Sequence, residues 1–275
     1  GVQLGAPGMD IVCSADGSWW AARTVDGRVH VPAARGGGAV TLPAGPELVV
    51  AMAMASTGDG LVVLGAAGSA WIQPREGAAV SLAQAPAPLQ VFSGAIAADG
   101  KTAVLGTRER LVLRHYGFPG RDTPLGARAR SPRRASISPG GSLLVREVEH
   151  GSEGRHVEVY DLQTGWPLRG PFTTEEILGV AVSPDDRRLA LLGPQDAPVR
   201  IVDVRTGERL VTFRPGGDVI GLGLFTPDGQ RLLVTLADGS VEVRRADDGK
   251  LERTVPGAGV ALIETLGMYA TTFLV

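Results

Sequence analysis

The sequence predicts an all-β fold, a β-propeller of four-stranded antiparallel blades, and three observations predict it. A short turn phrase recurs at Ser14-Ala-Asp-Gly17, Thr57-Gly-Asp-Gly60, Ala97-Ala-Asp-Gly100, Ser138-Pro-Gly-Gly141, Ser183-Pro-Asp-Asp186 and Thr226-Pro-Asp-Gly229, and its last positions advance by 43, 40, 41, 45 and 43 residues. A second mark runs half a unit later, at Gly36, Gly77, Gly120, Gly165, Gly207 and Gly249, with steps of 41, 43, 45, 42 and 42. The 39 Gly and 19 Pro among 275 residues impose frequent turns, and no amphipathic run of 10–15 residues exists to supply the helices that a solenoid of similar period needs.

Each unit has the same internal order. In the one opening near Ile177, Ile177–Ser183 is apolar and rich in β-formers, and Pro184-Asp185-Asp186 turns the chain. Arg187–Leu192 is a second strand, Val199–Val204 alternates with period two as a third, Arg205-Thr206-Gly207-Glu208 turns, and Arg209–Phe213 is a fourth. Four short strands joined by tight turns at this period are the blade of a propeller. The first strand of a blade lines the central channel and packs on both faces. Val180-Ala181-Val182, Gly221-Leu222-Gly223-Leu224, Ala51-Met52-Ala53-Met54 and Ser93-Gly94-Ala95-Ile96 are small and apolar as that position requires, with glycines where neighbouring backbones approach. Arg155–Tyr160 and Ser240–Arg244 alternate polar and apolar residues, as half-solvated outer strands should.

The repeats fall at about 9–47, 48–90, 91–131, 132–176, 177–218 and 219–258, and a partial one at 259–275 takes in residues 1–8, so that 1–275 reads as one propeller domain. A seventh blade would take strands from Gly259–Thr265 and Tyr269–Val275 and its outermost strand from Val2-Gln3-Leu4. Its third strand is unaccounted for, so that blade is three-stranded, clipped or short of a segment, and the expectation favours the last two. A single cysteine, Cys13, in a first-strand position excludes an intrachain disulfide and points weakly to a reducing, cytoplasmic setting. No run of 18 apolar residues exists to insert in a membrane, and a net charge of −2 gives no overall attraction to nucleic acid.

The phrases Val182-Ser183-Pro184-Asp185-Asp186, Phe225-Thr226-Pro227-Asp228-Gly229, Val159-Tyr160-Asp161-Leu162-Gln163-Thr164-Gly165 and Val202-Asp203-Val204-Arg205-Thr206-Gly207 resemble WD40 repeats of the bacterial kind. The resemblance is good from about Ala135 to Pro256 and weaker, though in register, from Met9 to Arg134. It implies a non-catalytic, monomeric scaffold or sensor module for a protein or peptide partner, within a larger bacterial signalling protein. The chain departs from the family in its polar network. Tyr160-Asp161 and Val202-Asp203 stand where a Trp-Asp pair ends the third strand, Arg244-Arg245 replaces it in the sixth repeat, and the Gly-His dipeptide is absent.

Motifs for chemistry are sparse. His30, His115, His150 and His156 show no metal-ligand spacing and read as surface residues. There is no nucleophile elbow, phosphate loop or dinucleotide fingerprint, so no cofactor, metal or catalytic residue is expected. The alternative, a lactonase-like or other hydrolase or lyase propeller, needs carboxylates at the channel mouth, and the first strands offer only Asp10 and Glu264 near their ends.

Charge is the clearest irregularity. From Lys101 to Arg134 nine basic residues face only Glu109 and Asp122, a local net of +7 in a chain whose remainder is −9. Turns between second and third strands share a face with the connections between blades, so Arg108, Arg128, Arg130, Arg133 and Arg134 are expected to cluster on one rim. Such a rim suits an acidic or phosphorylated peptide. Without interleaved aromatics, nucleic acid is the weaker candidate. Reversing Arg130 and Arg133 to Glu should weaken binding of an acidic partner and flatten its salt dependence; affinity unchanged across a salt titration would remove the rim from the site.

Overall fold

The structure, a computed structural model, describes residues 8–13, 19–24, 26–32, 39–42, 47–56, 60–75, 78–83, 89–108, 110–116, 121–125, 134–149, 155–173, 177–194 and 197–256. All regular structure among them is β. Six four-stranded antiparallel sheets follow one another along the chain, each with its strands in sequence order. The first holds β1 Gly8–Cys13, β2 Trp20–Thr24, β3 Val29–Pro32 and β4 Ala39–Thr41; the second β5 Val49–Met54, β6 Gly60–Gly65, β7 Ala70–Pro74 and β8 Val80–Ala83. The third holds β9 Ser93–Ile96, β10 Thr102–Gly106, β11 Leu111–His115 and β12 Arg121–Leu125. The fourth holds β13 Arg134–Ile137, β14 Leu143–Glu149, β15 Arg155–Asp161 and β16 Pro167–Thr173; the fifth β17 Gly179–Val182, β18 Arg188–Leu192, β19 Val199–Asp203 and β20 Arg209–Phe213. The sixth holds β21 Val219–Phe225, β22 Arg231–Leu236, β23 Val241–Arg245 and β24 Leu251–Val255. The chain ends expected to form a further sheet, Val2-Gln3-Leu4, Gly259–Thr265 and Tyr269–Val275, lie outside the described residues. Contacts divide the chain into two compact units, residues 1–131 with 265–275 and residues 132–264, so that each unit carries three of the sheets.

Within each unit the sheets stack face to face, and strand pleating supplies the core. Successive side chains of a strand point to opposite faces. On β6, Leu61 and Val63 join Val12, Ala21, Val29 and Val31 of the first sheet, whereas Val62 and Leu64 join Ile96, Ala103, Leu105 and Val112 of the third. β18 repeats this division in the second unit. Leu189 and Leu191 pack with Leu143, Val145, Val157 and Val159 of the fourth sheet, and Ala190 and Leu192 pack with Val219, Phe225, Leu232 and Val234 of the sixth. Such strands read as continuous apolar runs because both faces are covered. Each fully buried leucine contributes about 2 kcal/mol.

Burial therefore peaks on the second strands, not on the first as expected. All of β6 is buried, whereas Ser93 of β9 is exposed and Gly94 and Ala95 are only partly covered, because β9 has a hydrogen-bonded neighbour on one side alone. Glycine acts at the first strands as expected in one respect. A Cβ on Gly179 of β17 would collide with the Gly221 carbonyl of β21, so the two backbones can approach only without a side chain there. The third strands also depart from expectation. Val241, Glu242, Val243 and Arg244 of β23 are all buried, with the two charged residues paired to each other.

The recurrent turn phrase closes the first-to-second hairpins of the third to sixth sheets with the same two hydrogen bonds. In the fifth sheet Asp186 N donates to Ser183 O at 3.0 Å and Ser183 N donates to Arg188 O at 2.9 Å; Gly100, Gly141 and Gly229 take the place of Asp186 elsewhere. The second repeat corrects the sequence alignment. Ala55 N donates to Gly60 O as Ala97 N donates to Thr102 O. Gly60 thus matches Thr102, two places beyond the turn glycine.

Asp186 is the one non-glycine residue with positive φ among the described residues, at 57°. An L side chain in that region costs ~1 kcal/mol. Its carboxylate offsets that cost by accepting the Gly140 N–H at 3.2 Å, the Ser142 N–H at 3.0 Å and the Ser142 hydroxyl at 2.5 Å, all from the turn of the fourth sheet. Arg188 makes the matching link onward, donating from Nη2 to Gly229 O at 2.6 Å. Asp186→Ala keeps the unfavourable φ and loses the carboxylate, and should destabilise the protein by about 2 kcal/mol. Asp186→Asn, which tolerates this φ and keeps an acceptor, should cost less than half as much. Urea midpoints of the two variants check this, and equal losses would show that the carboxylate does not link the sheets.

Candidate functional site

Among the described residues, three ion pairs hold a buried arginine of a strand against a carboxylate. Arg114 of β11 is wholly buried. Its Nε and Nη2 donate to Asp122 of β12 at 2.8 and 2.7 Å, and its Nη1 reaches the Gly68 carbonyl of the second sheet at 3.0 Å. The Tyr116 hydroxyl donates to the same carbonyl at 2.8 Å. Arg244 of β23 donates from Nε to Glu242 at 2.7 Å, from Nη1 to Gly249 O at 2.8 Å and from Nη2 to Arg214 O at 3.1 Å, while Glu242 accepts the Gly216 N–H at 2.8 Å. Arg146 of β14 donates from Nη2 to Glu158 at 2.8 Å, and the Tyr160 hydroxyl donates to the same oxygen of Glu158 at 2.8 Å.

The Arg114 and Arg244 pairs are internally neutralised and closed by backbone carbonyls, whereas Arg146 is neutralised by Glu158 but keeps its buried Nε and Nη1 without a hydrogen-bond partner. They link strands and neighbouring sheets rather than present reactive groups. Removing one partner of such a pair costs ~3–5 kcal/mol, because the other charge stays buried. His30, expected at the surface, is buried, and its Nδ1 lies 3.1 Å from the Thr41 hydroxyl on the adjacent strand.

Burial, followed by the hydrogen bond to Glu158, raises the Tyr160 hydroxyl to about 12, and burial raises Tyr116 in the same direction. A phenol whose folded pKa is raised favours folding while both states stay protonated. That stability is full below the unfolded value of ~10 and is lost as pH climbs toward the folded one. Urea midpoints should therefore fall between pH 10 and 12, and Tyr160→Phe should reduce the fall. A slope identical to that of the parent would show that Tyr160 ionises as readily folded as unfolded.

Of the residues expected on a basic rim, Arg108 alone has a described side chain. Arg134 opens β13, with only its backbone described, and Arg128, Arg130 and Arg133 lie outside the described residues. Arg108 belongs to the first three-sheet unit and Arg134 to the second. Arg108 is exposed in the turn after β10, and no carboxylate among the described residues pairs with it. Its guanidinium carbon sits 5.6 Å from the centre of the Phe92 ring.

Four other arginines lie over rings: Arg75 over Trp19, Arg146 over Tyr160, Arg188 over Phe225 and Arg244 over Phe213. Those four rings are buried, each less than 10% exposed, whereas Phe92 is 54% exposed. The Phe92–Arg108 pair is thus displayed to solvent while the others serve packing.

The backbone explains where that pair stands. Phe92 N donates to Gly106 O at 2.9 Å, which sets it beside the turn that carries Arg108. Val91 N donates to Ala66 O at 2.8 Å, Leu89 N to Ala67 O at 3.0 Å and Ala66 N to Leu48 O at 2.8 Å. The turn after β6 is therefore seated between the lead-in to β5 and the lead-in to β9; the Glu47 carboxylate caps it by accepting from Ala67 N and the Ser69 hydroxyl, and Leu48, 56% exposed, lies over Gly27 of the first sheet. The sequence pattern singles out neither residue. At the position before a first strand the second, third, fifth and sixth sheets have Leu48, Phe92, the half-buried Leu178 and the exposed Asp218, and the carbonyls of Leu48 and Asp218 accept the Ala66 and Ala237 N–H groups in the same way.

No protein-family model matches the chain, and no curated protein matches it.

Proposed function

We propose that the six sheets are consecutive blades of a WD40-like propeller, closed as a seventh by the chain ends, and that it is a non-catalytic platform for a protein or peptide partner. The identical strand order of every sheet, the shared hairpin hydrogen bonds and the apolar layers between successive sheets support the blade reading. The platform reading is carried by the exposed Phe92 ring under Arg108. Aromatic and arginine side chains dominate the energetic centres of protein interfaces, and a rigid repeat scaffold commonly places recognition on the turns at one end. The surplus of arginine between residues 101 and 134 favours an acidic or phosphorylated partner. A role beside a signalling domain of a larger bacterial protein, in the cytoplasm, fits the same reading.

A photo-crosslinking residue at Ala67, between Leu48 and Phe92, and another at the exposed Gln163 of the third-to-fourth turn test the platform in the cells that make the protein. A discrete adduct from position 67, absent from position 163, is expected. The same faint smear from both positions would overturn the platform reading.

A further inference from the structure

We infer that the outer edge of β8 is a docking edge for a second copy of this chain, and that two β8 strands pair antiparallel across a two-fold axis. The inference is independent of the platform reading. β8 ends the second sheet. It pairs with β7, setting Val80 opposite Ile72, Ser81 opposite Trp71 and Ala83 opposite Ala70. Among the described residues no strand pairs with its other side. A row of backbone N–H and C=O groups left open in this way is a template for a further strand.

The outer strands of the later sheets carry residues that hinder such pairing. β12 has Arg121, Asp122 and Pro124, β16 has Pro167, Arg169 and Pro171, β20 has Arg209, and β24 has Glu252 and Arg253. Proline removes a backbone donor, and a charge on an edge strand resists being covered. β4 is also uncharged, but it has only three residues, and a very short edge is itself a safeguard. β8 has none of these protections. No charged residue lies between Glu76 and Asp99. Val80 is 59% exposed, and Ser81 and the preceding Ala78 and Ala79 are exposed with it. Leu82 packs inward against the layer shared with the third sheet. The strand is thus anchored on its inner side and neutral along its outer one.

Neutrality selects the occupant. A charged partner strand finds no counter-charge on β8. A second β8 brings only uncharged side chains, so the two-fold axis, which sets the strand opposite itself, opposes no like charges. Pairing takes the exposed Val80 out of water on both copies. It also joins two four-stranded sheets into one of eight strands. Each dimer presents two copies of any recognition surface, which strengthens the hold on a bivalent partner.

Sedimentation velocity of the full chain across a concentration series tests this. The parent should pass from monomer to dimer as its concentration rises. Val80→Lys and Val80→Glu each set like charges against each other, and each should weaken the dimer by about tenfold or more at low salt. An equimolar mixture of the two variants should restore association, and added salt should weaken that mixed dimer. Circular dichroism should show both variants folded, because the Val80 side chain is exposed. Ser81→Lys and Ser81→Glu supply the same comparison should either Val80 variant fail to fold.

A parent that stays monomeric at every concentration overturns the inference. So does a dimer that neither charge weakens, or a mixture of weakened variants that does not associate again. A dimer lost in Phe92→Ser and kept in both Val80 variants would place the contact on the Phe92 surface and overturn the β8 pairing.

Discussion

The second and fifth sheets each have two apolar faces, and neither can bury both alone. That constraint governs the rest of the structure. A four-stranded antiparallel sheet in water ordinarily solvates one face. Here β6 sends Leu61 and Val63 one way and Val62 and Leu64 the other, and β18 divides Leu189 and Leu191 from Ala190 and Leu192 in the same manner. Each of these two sheets is therefore stable only between its neighbours. The stacking in turn demands that connections be short, that turns meet from sheet to sheet, and that backbones approach at Gly179 and Gly221. The links from Asp186 to the turn of the fourth sheet and from Arg188 to Gly229 follow from the same demand, since stacked sheets bring equivalent turns within hydrogen-bond reach.

Stacking also explains the buried arginines. A second or third strand has neighbours on both sides in its sheet and can be covered on both faces, so a charged residue there must bring its partner with it. Arg114 with Asp122, Arg146 with Glu158 and Arg244 with Glu242 meet that condition, and the carbonyls of Gly68, Gly249 and Arg214 absorb further donors. The pairs differ in position and geometry from sheet to sheet. Arg114 takes its carboxylate from the fourth strand, Arg146 from the third, and Arg244 from two residues earlier on its own strand. Such individually fitted pairs distinguish one layer from the next in a repeat whose apolar residues are nearly interchangeable.

The repeat itself was legible because turns have strict chemistry. The phrases ending at Gly100, Gly141 and Gly229 announce a residue with positive φ, and the structure has one at each. Asp186 fits the same pattern, since Asp is among the few L residues that tolerate this region. The phrase ending at Gly60 misled by two residues, because Asp-Gly is a good turn dipeptide wherever it occurs and only the hydrogen bonds show which residues close the hairpin. Burial of His30, Glu242 and Arg244 was not legible. Alternation of polar and apolar residues signals a solvated face, and a buried ion pair produces the same alternation. The candidate site was legible in part. Excess charge drew attention to Arg108, but nothing in a local window separates Phe92 or Leu48 from the apolar lead-ins that a first strand would tolerate.

The site became visible only by comparing equivalent positions. In a repeat fold the requirements of stability recur with the period, so whatever stability requires should appear in every sheet or be replaced by an equivalent solution. Phe92, more than half exposed, meets neither condition, because the same position holds Asp218 in the sixth sheet and the half-buried Leu178 in the fifth. Leu48 differs, because its side chain lies over Gly27 of the first sheet. Exposed apolar surface on a folded chain is also a hazard, since it invites nonspecific association. The exposed Phe92 ring, beside an arginine that pairs with no carboxylate among the described residues, is such a departure from the period.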